Sequence, residues 1–502
     1  MIGIRLPHRA AGFLPLAALA SLLLLFLSST LVVDPDLYHE MALIRAALSE
    51  GTIPREEIFA YTPAVSPSVH HEWGTGAILY WVATRGGGAG LLALKYALGF
   101  AVLAATLLAA RLARASWGTL CALAPVAIVM ADVGFTTVRA GFFTLLLLST
   151  ILVAIQMDRA GARWWVLPWL PLHLLWLNLH GGFVAGLLLL ALHWAEGLCR
   201  GRGAQRHLIA CGAAMAALVA VNPYGLHYVG YLARALAMPR PRILEWQPIW
   251  AAPHLLAMVA VSLVVAIVAV RELGLRRAPG WPAVLISALA ATCHLRHVSL
   301  YALVWLALVP GWVDQTATGA WLQDGWARRR RLVAGLSTAL IVACLTGAWS
   351  REPWRLRIPA NRAEVGHGPP VIYPAGAVEY LRARQFEGNV LTSYDTGSFV
   401  IWNLHPAVRV GMDSRYEVAY LPEVADRISE FYAGGPGWRS LLGQYPTDLV
   451  LAATTDPVAE LLERQTAWRI AYADDVFRLY ARPGLELPIV DRRGERIEAR
   501  FP

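Results

Sequence analysis

Acids, imidazoles and guanidinium groups gather at the ends of apolar stretches in this chain, and the densest set follows the first stretch. Asp34-Pro35-Asp36-Leu37-Tyr38-His39-Glu40 opens a long loop, and His70-His71-Glu72-Trp73 closes it. A carboxylate placed beside a hydroxyl can take its proton. An imidazole next to a carboxylate can bind phosphate or a metal, although adjacent side chains point different ways along most backbones. Later stretches end, on the same side, at Asp132, Arg139, Asn178, His180, Glu245, His294, Arg296 and His297. A random scatter would populate both sides, so this distribution points to one site built where helices meet water.

Each candidate also has a plainer role. Pro35 disfavours helix at Asp34, and Asp36 is positioned to cap the helix that Leu37, Met41, Ile44 and Leu48 outline at helical spacing. That helix is expected to lie on the membrane interface. Arg139 needs a partner, and Asp132 is close in sequence. Asn178 and His180 stand beside Gly181-Gly182, a polar helix end or a tight turn. Glu245, in EWQP, is a reserve base, while His294, Arg296 and His297 compete with snorkelling to headgroups. Asp395 with Gly397, and Asp413 with Arg415, fall at expected strand ends, where α/β sheets place ligands. A turn aspartate and a local ion pair are the alternative for these.

The elements that must hold these groups are apolar helices. With 502 residues, 57% of them hydrophobic and 15% charged, the chain is too apolar for a soluble protein. The net charge of +9 sits mostly in arginines of short loops between apolar runs. That is the pattern of the positive-inside rule, and no nucleic-acid partner is expected. Five cysteines include no CxxC and give neither a disulfide framework nor a zinc site. A span takes about 20 apolar residues. Candidate spans begin near residues 11, 88, 117, 139, 164, 181, 207, 254, 279, 297 and 332, an expectation of about eleven transmembrane helices.

The first, preceded by Arg5 and Arg9, reads as a retained signal anchor. Residues Gly74 to Thr84 form a run too short to cross and read as an interfacial helix. Basic loops at Arg111 and Arg114, Arg159 and Arg163, Arg200 to Arg206, Arg271 to Arg277, and Arg328 to Arg331 then place the N-terminus in the cytoplasm. The outer side receives loops 34–87 and 222–253 and everything after residue 350. A transmembrane domain, 1–350, is thus expected to precede an extracytoplasmic domain, 351–502, with Pro359, Pro369 and Pro370 marking the linker. In that tail, Val390 to Ser393, Val408 to Met412, Leu449 to Ala452 and Val476 to Tyr480 read as strands. They alternate with amphipathic runs such as Ala375 to Gln385, so the tail reads as a soluble α/β domain.

DPDLYHE, GTIPREEIFAYTPA and HHEW, with NLHGGF, NPYG, EWQP, YDTGSFVIW and GMDSR further on, resemble a bacterial branch of polytopic membrane proteins of GT-C glycosyltransferase architecture. More remotely the plan is similar to protein O-mannosyltransferases, lipid A aminoarabinose transferases and oligosaccharyltransferases. The resemblance implies a multi-pass protein of the bacterial cytoplasmic membrane with a polyprenyl-phosphate-linked sugar donor and a glycan, lipid or protein acceptor. It implies a catalytic acid in the first outer loop: Asp36 or Asp34, with Glu40 beside them. His39, His70, His71, Glu72, Arg139, Asn178, His180, Glu245, Arg296, His297, Asp413 and Arg415 become candidates for substrate binding. A divalent cation (Mg or Mn) held by Asp36, Glu72 or Asp132 could assist the departing phosphate. The acceptor motif WWDYG of oligosaccharyltransferases is absent, and their second acidic pair is reduced to Asp132.

An inverting glycosyltransferase is the reading this supports. A transporter or flippase of lipid-linked intermediates, and a membrane scaffold with a binding tail, are the alternatives. Transport pathways carry several intramembrane charges, whereas Lys95 is nearly alone deep in an expected span.

Overall fold

The structure, a computed structural model, describes residues 13–238, 240, 243–364, 371–465, 467–499 and 501. Arg5, Arg9, Pro369 and Pro370 lie outside the described residues. An apolar helix stands at each position where the sequence places one. Among the described residues, five are long and apolar enough to cross a membrane; a sixth arises if His297–Val313 and Ala317–Arg328, bent by 88°, count as one span. Phe13–Leu27, Val166–Leu179, Phe183–Cys199, Arg206–Leu218 and Trp281–Cys293 have 13 to 17 residues. At 1.5 Å per residue they reach roughly 20–26 Å, short of the ~30 Å hydrocarbon core. Helix length therefore does not establish eleven crossings. The short run from Gly74 opens a 40-residue helix, Trp73–Leu112, which breaks at Gly87 (φ 54°, ψ −151°), a backbone state that favours glycine.

The chain divides into two compact units. The helical unit comprises the described residues of 1–31, 92–221 and 239–355. His297–Val313 is buried along nearly its whole length, packed by Trp117–Ala131, Gly141–Arg159, Pro253–Leu273 and Trp281–Cys293. A helix apolar on every side belongs at the centre of such a bundle. Pro253–Leu273 and Arg330–Trp349 instead expose Val261, Val264, Ile267, Leu332, Leu336 and Val342. Contiguous apolar surface of this kind suits lipid contact. Lys95 is buried and donates from Nζ to the carbonyls of Thr30 (2.7 Å) and Thr136, a tie between chain segments.

The second unit comprises the described residues of 32–91, 222–238 and 356–502. The first long loop and part of the second thus fold with the tail, and the boundary expected at 350/351 falls at 355/356. The tail holds a six-stranded sheet: β1 (Gly388–Leu391), β2 (Val408–Val410), β3 (Leu449–Ala453), β4 (Arg469–Ala473), β5 (Phe477–Ala481) and β6 (Val490–Asp491), in the order β2-β1-β3-β5-β4-β6. β1 runs parallel to β2 and β3, while β5 runs antiparallel to β3 and β4. β4 and β6 were not among the strands read from sequence.

The first loop covers the sheet edge. Val410 N–H donates to the Phe59 carbonyl (2.9 Å), and Tyr61 N–H donates to the Val410 carbonyl (3.1 Å). Pairing of this kind removes the unpaired row that an edge strand would otherwise present.

Candidate functional site

Helix α1 (Pro35–Glu50) supplies the first-loop acids. Asp34, not Asp36, is its N-cap: its backbone is extended (φ −83°, ψ 138°) and its Oδ1 accepts Asp36 N–H at 2.9 Å. The expected capping role of Asp36 is thereby corrected. Proline lacks an N–H and has a φ suited to the first helical position, which moves the cap two residues back, from Asp36 to Asp34. Asp36, His39 and Glu40 then recur at the i, i+3, i+4 spacing of one helix face.

The apolar side of α1 (Leu37, Met41 and Ile44) is buried, and α1 packs on α2 (Tyr394–Leu404). The expectation of an interfacial helix is corrected at this point, because protein covers that face and Leu48 alone of the expected stripe is exposed. Two glycines allow the close packing. A Cβ at Gly76 would meet the Glu40 carbonyl at 2.9 Å, and one at Gly397 would meet the Met412 carbonyl at 1.9 Å.

A cluster of four carboxyl groups results. The Glu40 side chain is buried, and no N–H or hydroxyl among the described residues donates to either oxygen. Burial, then the charge and hydrogen bond of Glu72, then Asp36 and Asp34, push its carboxyl well above the usual range. Of the four carboxyl groups, Glu40 is thus the one most strongly favoured to keep its proton. Asp36 and Glu72 retain side-chain exposures of 28% and 21%, so they are the carboxylates that a solute can reach.

His39 Nδ1 lies 3.0 Å from Ser414 Oγ, which lies 2.8 Å from Ser398 Oγ. Ser414 N–H also donates to Ser398 Oγ (3.3 Å). The chain is satisfied when each hydroxyl donates onward, leaving His39 Nδ1 as acceptor and Nε2–H as donor. Burial lowers the His39 imidazole to about 4, with Arg415 adding to the effect and Asp413 opposing it. It is neutral at pH 7. His70 is likewise driven well below its usual range by burial. His71 lies 3.1 Å from Glu72 through Nε2 and 2.9 Å from the Tyr231 hydroxyl through Nδ1, with the two rings stacked.

Asp413 and Arg415, expected to touch substrate, are consumed in a buried network. Arg415 is 1% exposed; its Nη1 and Nη2 donate to Glu57 (2.8 and 2.9 Å), and Nε and Nη2 donate to Asp413 (2.9 and 2.6 Å). Tyr420 donates its hydroxyl proton to Asp413 Oδ2 at 2.6 Å. Burial alone would raise the Asp413 carboxyl, but the Arg415 charge overrides it and holds it at about 2. These residues tie the first loop to the tail. Neither side chain is accessible, so what the structure shows for them is a role in holding the fold. Glu57, whose Oε1 also accepts both Phe59 and Ala60 N–H, was missed.

Arg139, Asn178, His180, Glu245, His294, Arg296, His297 and Asp132 belong to the helical unit. Arg139 pairs with Glu245 (2.5 Å), not Asp132, and Arg296 approaches the same carboxylate at 3.5 Å. Burial would raise Glu245, but the two arginines hold it below the usual range, so it makes a poor reserve base. Arg240 and Arg296 each lie over the Trp246 ring, at 4.3 and 4.5 Å, and two guanidinium groups, Arg139 and Arg296, face the Glu245 carboxylate. Arg296 is therefore held by protein rather than by headgroups. His294 Nδ1 donates to the Trp246 carbonyl (2.7 Å), and His297 Nδ1 donates to that of Ala290 (3.2 Å).

His180 is oriented by a chain of donors. Trp176 Nε1–H donates to Thr144 (2.8 Å), Thr144 lies 2.7 Å from His180 Nδ1, and Gly182 N–H donates there too (3.1 Å). Its Nε2 then carries the proton. Asn178 Nδ2 donates to the carbonyls of Leu174 (2.9 Å) and Val221 (3.1 Å), a structural role. Asp132 Oδ1 is buried with no hydrogen-bond partner among the described residues.

A metal was considered at Asp36, Glu72 and Asp132. Among the described residues, no group of three or more His, Cys, Asp or Glu side chains is arranged to hold one. These carboxylates therefore do not form a metal-binding set there.

No family model matches the chain, and no curated protein matches it. Among solved structures, it is similar to an Archaeoglobus fulgidus oligosaccharyltransferase, crystallised with a tethered acceptor peptide containing the NVT sequon. That match has a TM-score of 0.49 and 13% sequence identity, covering 88% of this chain and 68% of that one. Residue roles follow from this chain's own geometry.

Proposed function

We propose that the protein is a membrane glycosyltransferase that moves a sugar from a polyprenyl-phosphate-linked donor to an acceptor outside the cytoplasm. Asp36 is its general base. The observation that carries this reading is the four-carboxyl cluster, in which a buried Glu40 adjoins two solvent-accessible carboxylates, Asp36 and Glu72. Neutral Glu40 and His39 limit the negative charge that an incoming phosphate-linked sugar would meet.

In the transfer, Asp36 takes the acceptor hydroxyl proton as that oxygen bonds to the anomeric carbon. The anomeric C–O bond to phosphate breaks with inversion, and its electron pair leaves with polyprenyl phosphate. Stabilising a departing phosphate calls for guanidinium and imidazole donors. The transporter alternative loses its best residue, because Lys95 is fixed by two carbonyls.

Lipid-linked sugars and surface glycans should be compared in cells carrying the wild type or Asp36→Asn. The reading expects donor accumulation and loss of one glycan at normal protein level. Unchanged profiles at normal protein level would count against catalysis.

A further inference from the structure

A separate crevice in the second unit is used by neither the acid cluster nor the buried arginine network. It lies at the carboxyl ends of β1 and β3 and has a volume of about 410 Å³. From β1 the chain passes through α2 to β2 on one side, while β3 lies on the other side of β1. Connections that leave neighbouring parallel strands in opposite directions open a crevice between them, where sheets of this class take ligands. β5 runs antiparallel to β3, with Phe477 opposite Ala453, and its first residues close the far wall.

The lining mixes donors and acceptors over an apolar floor. Ser393, Asp395 and Thr396 come from the start of α2, Thr455 and Asp456 from the loop after β3, and Arg362 from the opposite rim. Arg362 is held there by a 2.7 Å bond from Nη2 to Thr454 Oγ1, and Asp456 by accepting Ala453 N–H at 2.8 Å. Asp395 is open to water, yet protein surrounds it closely enough for burial to raise its carboxyl. A side chain on a cavity wall has both properties. Leu451 and Phe477 form part of the floor.

That chemistry selects among ligands. Two carboxyl groups oppose a phosphate, and the arginine opposes a cation. A neutral polyhydroxylated molecule can donate to the carboxylates, accept from the guanidinium and lay its C–H face on the floor. We propose that this crevice binds a neutral sugar of one or two residues through Asp395, Thr455 and Arg362. The proposal goes beyond the transfer reading and does not require Asp36 to be a base.

The test is calorimetric titration of the full chain in lipid nanodiscs, avoiding detergents with sugar headgroups. The probes are glucose, mannose, galactose, N-acetylglucosamine, maltose and cellobiose, with inorganic phosphate as the anion control. At least one neutral sugar should bind saturably. Asp395→Asn and Thr455→Val should each weaken it by about tenfold with unchanged melting temperature, the scale of one lost strong hydrogen bond. Asp36→Asn should bind as the wild type does, which separates this result from any failure of the transfer reading. The proposal is overturned if no neutral sugar binds, if phosphate binds more tightly than every sugar, or if both crevice variants bind like the wild type.

Discussion

Replacing Arg415 with methionine should cost the second unit much of its stability, and mainly at neutral pH. Methionine approximates the stem of arginine but offers no donors to Asp413 or Glu57, which would be left as buried carboxylates. The Asp413 carboxyl alone, held at about 2 against an ordinary value near 3.9, contributes on the order of 2–3 kcal/mol at pH 7. Removing one partner of a buried ion pair costs ~3–5 kcal/mol, and the lower end agrees with that figure. For a unit of this size, the loss corresponds to a melting shift on the order of 6–20 °C. The sign follows from linkage. A depressed carboxyl stabilises the fold above its unfolded value and loses that contribution as pH falls towards about 2. The gap between wild type and Arg415→Met should therefore narrow as pH falls through that window. Intrinsic fluorescence melts in nanodiscs at neutral and acidic pH would read it. A shift of a degree or two, or one equal at both pH values, would refute the buried-network account.

Other perturbations address single assignments. Asp34→Ala should cost about 1 kcal/mol by removing the cap of α1, whereas Asp34→Asn should cost a few tenths; equal losses would contradict the capping role. Lowering the pH from 6.5 to about 4 should destabilise the wild type by up to about 3 kcal/mol, because folded His39 resists the proton that the unfolded chain accepts. Glu40 acts in the other direction: its raised carboxyl favours the fold at low pH and loses that advantage as pH rises. Glu40→Gln should abolish that alkaline loss in pH-dependent melts, and an unchanged pH profile would contradict a buried protonated Glu40. A double-mutant cycle on Arg139→Ala and Glu245→Ala should give a coupling of about 1–2 kcal/mol, with none between Arg139 and Asp132; the reverse would restore the pairing read from sequence.

What the sequence disclosed follows the range of the interactions. Apolar runs report their own burial, so most apolar helices began within a few residues of their expected starts, although the one expected from residue 88 continues a helix that opens at Trp73. The first-loop acids were visible because one helix turn brings Asp36, His39 and Glu40 together. Their division of labour was not visible, since it depends on which residue caps α1 and how deeply Glu40 is buried. Pairings across hundreds of residues were hidden too. Nothing local joins Glu57 to Arg415, and sequence nearness favoured Asp132 over Glu245 as the partner of Arg139. Asp413 and Arg415 stood out as a charged pair after a strand, but only the fold shows that Glu57 closes over them. β4 was missed because RIAYA carries too few residues of alternating pattern to be distinguished from loop.

The central claim is that Asp36 removes the acceptor proton while Glu40 remains protonated beneath it. Its most direct test is turnover by the purified chain in nanodiscs, measured as polyprenyl phosphate released from a panel of polyprenyl-phosphate sugars. Asp36→Asn should lower turnover by about 10²–10⁴ without loss of donor binding, and Glu40→Gln should retain most of it. Wild-type turnover in Asp36→Asn, or its abolition in Glu40→Gln alone, would contradict the account.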